Sequence, residues 1–296
     1  MGFFSHRKVK NYSFLKGYDF YLPGWGGLFA LAGLLVIGVL IGSLVMILLG
    51  LLMSKEAVDT YGLLITYPIQ FIPPMIFCSL KSRSNAVFDR GVALNSAHFG
   101  RTGGWILALA VILATLSAAY MTDALTKWLP KMPAYLEELF KGMTGGPLWV
   151  SLLSVSVMAP FFEEWLCRGM ILRGLLQRVK PVWAIVISAT FFAVIHMNPW
   201  QAIPAFILGC LFGYVYYRTG SLLLTMLMHC ANNTFSVIIS RIDAFKDADT
   251  WLDILSPMEY FAGFVAAALI ISGLVLLLKR IPLEHPSGNL DPLEAQ

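Results

Sequence analysis

Glu163, Glu164 and Arg168 stand within six residues of one another in the stretch FFEEWLCRG, and His196, His229 and Asn233 follow downstream. These residue types suit hydrolysis of an amide. A carboxylate and an imidazole can hold a water and remove its proton. A second imidazole and a carboxamide can donate hydrogen bonds to the oxyanion that develops on the attacked carbonyl. The same groups admit a second chemistry: Glu163, His196 and His229 could bind a divalent metal such as zinc, since two His and a carboxylate make a hydrolytic zinc set. No HExxH occurs in the chain, so a zincin-type helix is excluded. A proton or ion pathway, as in an ion-coupled transporter, is a third use of buried carboxylates.

Spacing divides the labour. Glu164 and Arg168 are at i, i+4 on a helix, a favourable order for an ion pair, so Arg168 is expected to neutralise and orient Glu164. Glu163 points about 100° away from its neighbour and is the carboxylate left for chemistry. His229 and Asn233 are also at i, i+4 and share one helix face, while His196 follows Phe192 by four residues. A lone His in an apolar helix is more often a packing residue. Two His, one Asn and two Glu in three neighbouring segments are harder to read that way.

The segments that must position these residues read as membrane spans. Only 13% of the 296 residues are charged, and 58% are hydrophobic with mean hydropathy +0.73; soluble domains carry about 25% charged residues. A charge at the bilayer centre costs about 2.5–3.5 kcal/mol even on the lenient insertion scale, so ionisable groups inside a span demand a reason. The pattern predicts an all-α, polytopic membrane protein of about eight transmembrane helices around a central catalytic cavity. The predicted spans are 24–53, 61–80, 103–122, 147–175, 181–198, 202–217, 221–240 and 259–279. The weakest are 61–80, with Pro68, Pro73 and Pro74, and 202–217, with Pro204. The organisation expected is a segment 1–23, N-terminal helices over 24–122, a catalytic core over 123–280 and a disordered tail over 281–296.

Charge sets the expected orientation. Of the 21 Lys and Arg, fourteen fall on the side of the two termini, six fall on the other side, and Arg168 lies within a span. Both termini are therefore expected in the cytoplasm. The basic start is followed by an apolar run too long for a signal-peptide core, so it is expected to be retained as the first span. Measured from the cytoplasmic ends of the spans, Glu163 lies about 18 Å deep, His196 about 22 Å, His229 about 12 Å and Asn233 about 18 Å. These depths allow one common site.

The remaining features read as structural. Cys78, Cys167, Cys210 and Cys230 form no CxxC and are small packing residues. Gly209 and Gly213 make a GxxxG suited to close helix packing. Of the two external loops, 123–145 has the pattern of an interfacial amphipathic helix and 243–259 is acidic; a solvated loop is the plainer reading of both. Net charge of +4 gives no sign of nucleic-acid binding.

Three motifs together resemble a known family. EEWLCR fits EExxxR, Phe192 to His196 fits FxxxH, and His229 to Asn233 fits HxxxN. In this order they resemble the CPBP family of intramembrane proteases, which includes CAAX prenyl proteases of the Rce1 type and bacteriocin-processing and immunity proteins. The resemblance covers about residues 160–240. It implies an intramembrane endopeptidase in a multi-pass bacterial cell membrane, with a cavity open toward the cytoplasm. Glu163 and His196 would activate water, His229 and Asn233 would stabilise the oxyanion, and Glu164, Arg168 and Phe192 would support them. No cofactor is required in this reading, although a divalent metal such as zinc is the alternative. The partners implied are the bilayer and a membrane-embedded or lipid-modified peptide or protein substrate, without nucleic acid. A non-catalytic scaffold or immunity protein is the other reading within the family.

Overall fold

The uncharged run after Asp19 folds as one helix, α1 (Trp25–Leu52), in a computed structural model that describes residues 15–87, 91–96, 99, 102–245, 248 and 250–283. A helix of this length rises about 42 Å, more than the ~30 Å hydrocarbon core. The chain turns at Ser54, whose hydroxyl accepts from the Ala57 N–H and starts α2 (Lys55–Asn85). Pro68, Pro73 and Pro74 lie inside α2 without ending it, so this span runs well past the expected 61–80 at both ends. Then come α3 (Gly104–Asp123), α4 (Ala134–Gly145), α5 (Leu148–Leu175), α6 (Pro181–Val194), α7 (Pro199–Thr219), α8 (Leu222–Ile239) and α9 (Pro257–Lys279). No strand occurs among the described residues.

Seven of these helices are long and apolar enough to cross a membrane, which makes the chain a polytopic all-α membrane protein. The eighth expected span, 181–198, is helical only over Pro181–Val194, 14 residues, or about 21 Å. Its end is local chemistry. Met197 takes φ 58°, and Asn198 is extended (φ −150°, ψ 147°), as a residue before proline prefers. Asn198 then caps α7 through its Oδ1, which accepts from the Gln201 N–H at 2.9 Å. His196 therefore sits in the turn between α6 and α7, not within a span as its sequence context suggested.

Helix α5 is the axis of the fold. Of its most apolar stretch 61% is buried, against 17–39% for the other six long helices. Trp165, Leu166, Met170 and Leu172 of α5 pack with Leu31 and Leu35 of α1, Phe71 and Cys78 of α2 and Tyr216 of α7. Small residues let α6 and α7 close on one another. A Cβ at Gly209 would lie 3.1 Å from the Ala189 Cβ, and one at Gly213 would lie 3.1 Å from Ile185. The GxxxG is thus a packing seam.

Segments outside the spans are tied down as well. Arg173 of α5 donates to the carbonyls of Val92, Tyr18 and Tyr21 at 2.7, 2.8 and 2.9 Å. Much of the expected 123–145 amphipathic segment is the helix α4, with Leu136 buried. Lys127 reaches Asp253 at 2.7 Å and joins the loops 123–145 and 243–259. That hydrogen bond is the main reason the Asp253 carboxyl is held below its ordinary pKa. The start of the expected tail is packed: Ile281 is buried, and its carbonyl accepts from Arg218 at 2.7 Å. Residues 284–296 of that tail and 1–14 of the N-terminal segment lie outside the described residues.

Candidate active site

Two π-helical stretches of α5, Leu152–Met158 and Trp165–Leu172, flank the α-helical Ala159–Glu164 that carries both glutamates. Such wide turns are uncommon and recur at functional sites. In the first stretch the Ala159 N–H bonds five residues back, to Ser154. The next donor in that register would be residue 160, but Pro160 has no N–H. The Val155 carbonyl is taken instead by the Asn233 carboxamide of α8, Nδ2 to O 2.8 Å. A sequence-local feature thus anchors Asn233 and leaves its second amide hydrogen for other use.

The expected Glu164–Arg168 pair forms. Nη1 of Arg168 lies 2.7 Å from Oε1 of Glu164, and both side chains are fully buried. Nη2 of Arg168 donates to the Gly209 carbonyl at 3.0 Å, and the guanidinium lies 4.5 Å from the Phe192 ring and 5.3 Å from Phe212. Arg suits this place, since its planar fork can bond in two directions while its faces meet rings.

His229 lies between the two glutamates. Its Nδ1 is 3.1 Å from Oε1 of Glu164, and its Nε2 is 3.9 Å from Oε2 of Glu163. The 100° offset does not send the adjacent carboxylates to different sites; it brings them to opposite nitrogens of one imidazole. The second distance is too long for a direct hydrogen bond. Oε2 of Glu163 is buried and has no hydrogen-bond partner among the described residues.

Glu163 is not without a partner. Oε1 accepts from the hydroxyl of Tyr67 on α2. His196, the imidazole expected beside Glu163, makes no hydrogen bond or ion pair with either glutamate among the described residues; its Nδ1 is 2.8 Å from the Phe192 carbonyl. A carbonyl can only accept, so Nδ1 carries the proton and the neutral ring keeps its lone pair on Nε2. Phe192 stands edge-on to both imidazoles, with centroids 5.0 Å from His196 and 5.4 Å from His229. His229, both glutamates, Arg168 and Phe192 are thus drawn together, His196 joins them through Phe192, and Asn233 meets α5 at the Val155 carbonyl.

The sequence reading passed over Tyr67, Pro160, Phe212 and the Gly209 carbonyl. The signals were faint: a Tyr beside Pro68 in an apolar helix, a Pro three residues before the first glutamate, and the GxxxG itself.

The donor set for a metal does not assemble. Among the described residues no group of three or more His, Cys, Asp and Glu side chains is placed to hold an ion. Nδ1 of His229 faces Glu164 and Nδ1 of His196 faces the Phe192 carbonyl, so the free position of each ring is Nε2. Glu163, His196 and His229 are not gathered into one donor group among the described residues.

Residues 145–235 match the family model of the type II CAAX prenyl endopeptidase, Rce1-like. The matched stretch holds Glu163, Glu164, Arg168, Phe192, His196, His229 and Asn233, and it supports a CPBP-type intramembrane protease. No curated protein and no solved structure matches the chain.

Proposed function

We propose that the chain is an intramembrane endopeptidase of the CAAX-protease type that hydrolyses a peptide bond of a membrane-embedded or lipid-modified substrate, with Glu163 as the base. The observation that carries the reading is the buried Oε2 of Glu163, without a hydrogen-bond partner among the described residues and 3.9 Å from Nε2 of His229, inside the family-matched stretch. A separation of that size is bridged by one water oxygen hydrogen-bonded to both groups.

In this mechanism the water gives its proton to Oε2 of Glu163, and its oxygen attacks the scissile carbonyl carbon. Nε2 of His196, unprotonated because Nδ1 donates to Phe192, accepts the water's other hydrogen and holds it in line. The oxyanion takes hydrogen bonds from Nε2–H of His229 and from the amide hydrogen of Asn233 not used by Val155. His229 can donate from Nε2 while Nδ1–H donates to Glu164 only when it carries both protons. Collapse of the tetrahedral intermediate breaks the C–N bond, and the proton on Glu163 passes to the leaving amine.

The test compares membrane-peptide profiles of cells expressing wild type with cells expressing Glu163→Gln at matched levels. A peptide released only by wild type, and released again by purified wild type but not by purified Glu163→Gln protein, is the expected result. Equal turnover of that peptide by the purified variant, or indistinguishable profiles, would sink the endopeptidase reading.

A further inference from the structure

We infer that Tyr67, on a helix outside the family-matched stretch, is a positioning residue that selects which oxygen of Glu163 meets water. The inference rests on the endopeptidase reading above and deepens it.

A carboxylate offers two equivalent oxygens, and the last torsion of a Glu side chain is broad and roughly two-fold. Something must break that symmetry if one oxygen is to face His229 on every turnover. Here the Tyr67 hydroxyl donates to Oε1 and leaves Oε2 as the oxygen without a hydrogen-bond partner. The two oxygens therefore have different neighbours, a phenol on one and the 3.9 Å gap to His229 on the other.

Helix α2 holds this arrangement at two points one turn apart. Phe71, four residues after Tyr67, stacks on Phe162, the residue before Glu163, with centroids 5.1 Å apart and planes 18° apart. Tyr67 itself packs against Phe71 at 5.6 Å. The aromatic stack sets the height of α2 against α5, and the hydroxyl sets the rotation of the carboxylate. The register extends to α1, where a Cβ at Gly38 would come within 2.0 Å of the Gln70 carbonyl, so α1 and α2 are in backbone contact beside this turn. In the reaction the phenol proton stays on Tyr67. The water's proton goes to Oε2 and then to the amine.

The experiment uses full-length protein in proteoliposomes and, as probe, an internally quenched version of the peptide identified by the profile comparison. Tyr67→Phe keeps the ring and deletes the hydroxyl. It is expected to lower kcat by about 10–100-fold, with KM within about threefold of wild type. The loss falls on kcat and not on KM, because the hydroxyl orients the base and does not hold the substrate. Phe71→Leu is the control for packing: it retains the hydroxyl and lowers the melting temperature, and its kcat falls less than that of Tyr67→Phe at equal loss of melting temperature.

Activity of Tyr67→Phe within twofold of wild type across the pH range, with Glu163→Gln inactive, overturns this inference and leaves the endopeptidase reading standing. A loss of kcat in Tyr67→Phe no larger than that of Phe71→Leu at equal loss of melting temperature assigns the hydroxyl to folding alone and also overturns it. Turnover by Glu163→Gln, or profiles in which no peptide depends on Glu163, removes the endopeptidase reading and this inference with it.

Discussion

Arg168 shows why a charge in this fold is a structural requirement. Its guanidinium is fully buried, bonded to Glu164 and to the Gly209 carbonyl, and set against Phe192 and Phe212. Removing one partner of a buried pair strands the other, which costs about 3–5 kcal/mol. Arg168→Met is therefore expected to lower the melting temperature sharply in detergent-solubilised protein. Arg168→Lys is expected to recover little, because an ammonium has neither the fork nor the flat faces used here. Melting curves for the two variants check both statements, and a lysine variant as stable as wild type would refute the second. At this scale the sequence was informative where both partners sit on one helix. Glu164 and Arg168 could be paired from their i, i+4 spacing alone. The partner of Glu163 could not, because Tyr67 lies 96 residues away on another helix and hydropathy carries no information on the register between helices.

Among the elements, α5 followed its expected bounds, 147–175 against the observed Leu148–Leu175, since a long apolar run marks a span whatever its internal turns. Its two π-helical stretches were not legible, because hydrophobic period alone does not distinguish a wide turn from an α turn in a helix apolar on most sides. Pro160 is the interpretable part of that irregularity. It denies the Val155 carbonyl a backbone donor and so leaves it to Asn233. Pro160→Ala restores an N–H that competes for that carbonyl and sets Asn233 loose. The expected outcome is kcat reduced by at least about tenfold, up to the about 10²–10³ that one oxyanion donor supplies. The melting temperature should hold or rise, since a proline leaves a helix interior. Steady-state kinetics with thermal unfolding on the same preparation tests this, and unchanged kcat would refute it. The end of α6 was legible in hindsight from Asn198–Pro199, a capping residue followed by a first-turn proline. The apolar run across it hid that boundary.

For the whole molecule, the short α6 raises the question of how many times the chain crosses the bilayer. Its pairing with α7 answers it. Lys180 precedes α6, and Arg218 ends α7 after 21 residues, or about 31 Å of helix. The two helices are joined by the tight turn at His196 and zipped at Gly209 and Gly213, so the pair is expected to enter and leave on the same face however deep the turn lies. The parity of the other six long helices then decides the termini, and six crossings return the chain to its starting side. The Lys and Arg bias, fourteen against six, is the ground for expecting that side in the cytoplasm. The expected result is that single cysteines at Arg178 and Lys279, in a background where Cys78, Cys167, Cys210 and Cys230 are replaced, react with an impermeant maleimide only after the cells are opened. Cysteines at Glu137 and Asp253 should react in intact cells. Labelling of Arg178→Cys and Lys279→Cys on opposite sides would mean that α6 and α7 do not form a returning pair. A full reversal of all four would keep the pair and overturn the charge assignment, and with it the expectation that substrates reach Glu163 from the cytoplasm.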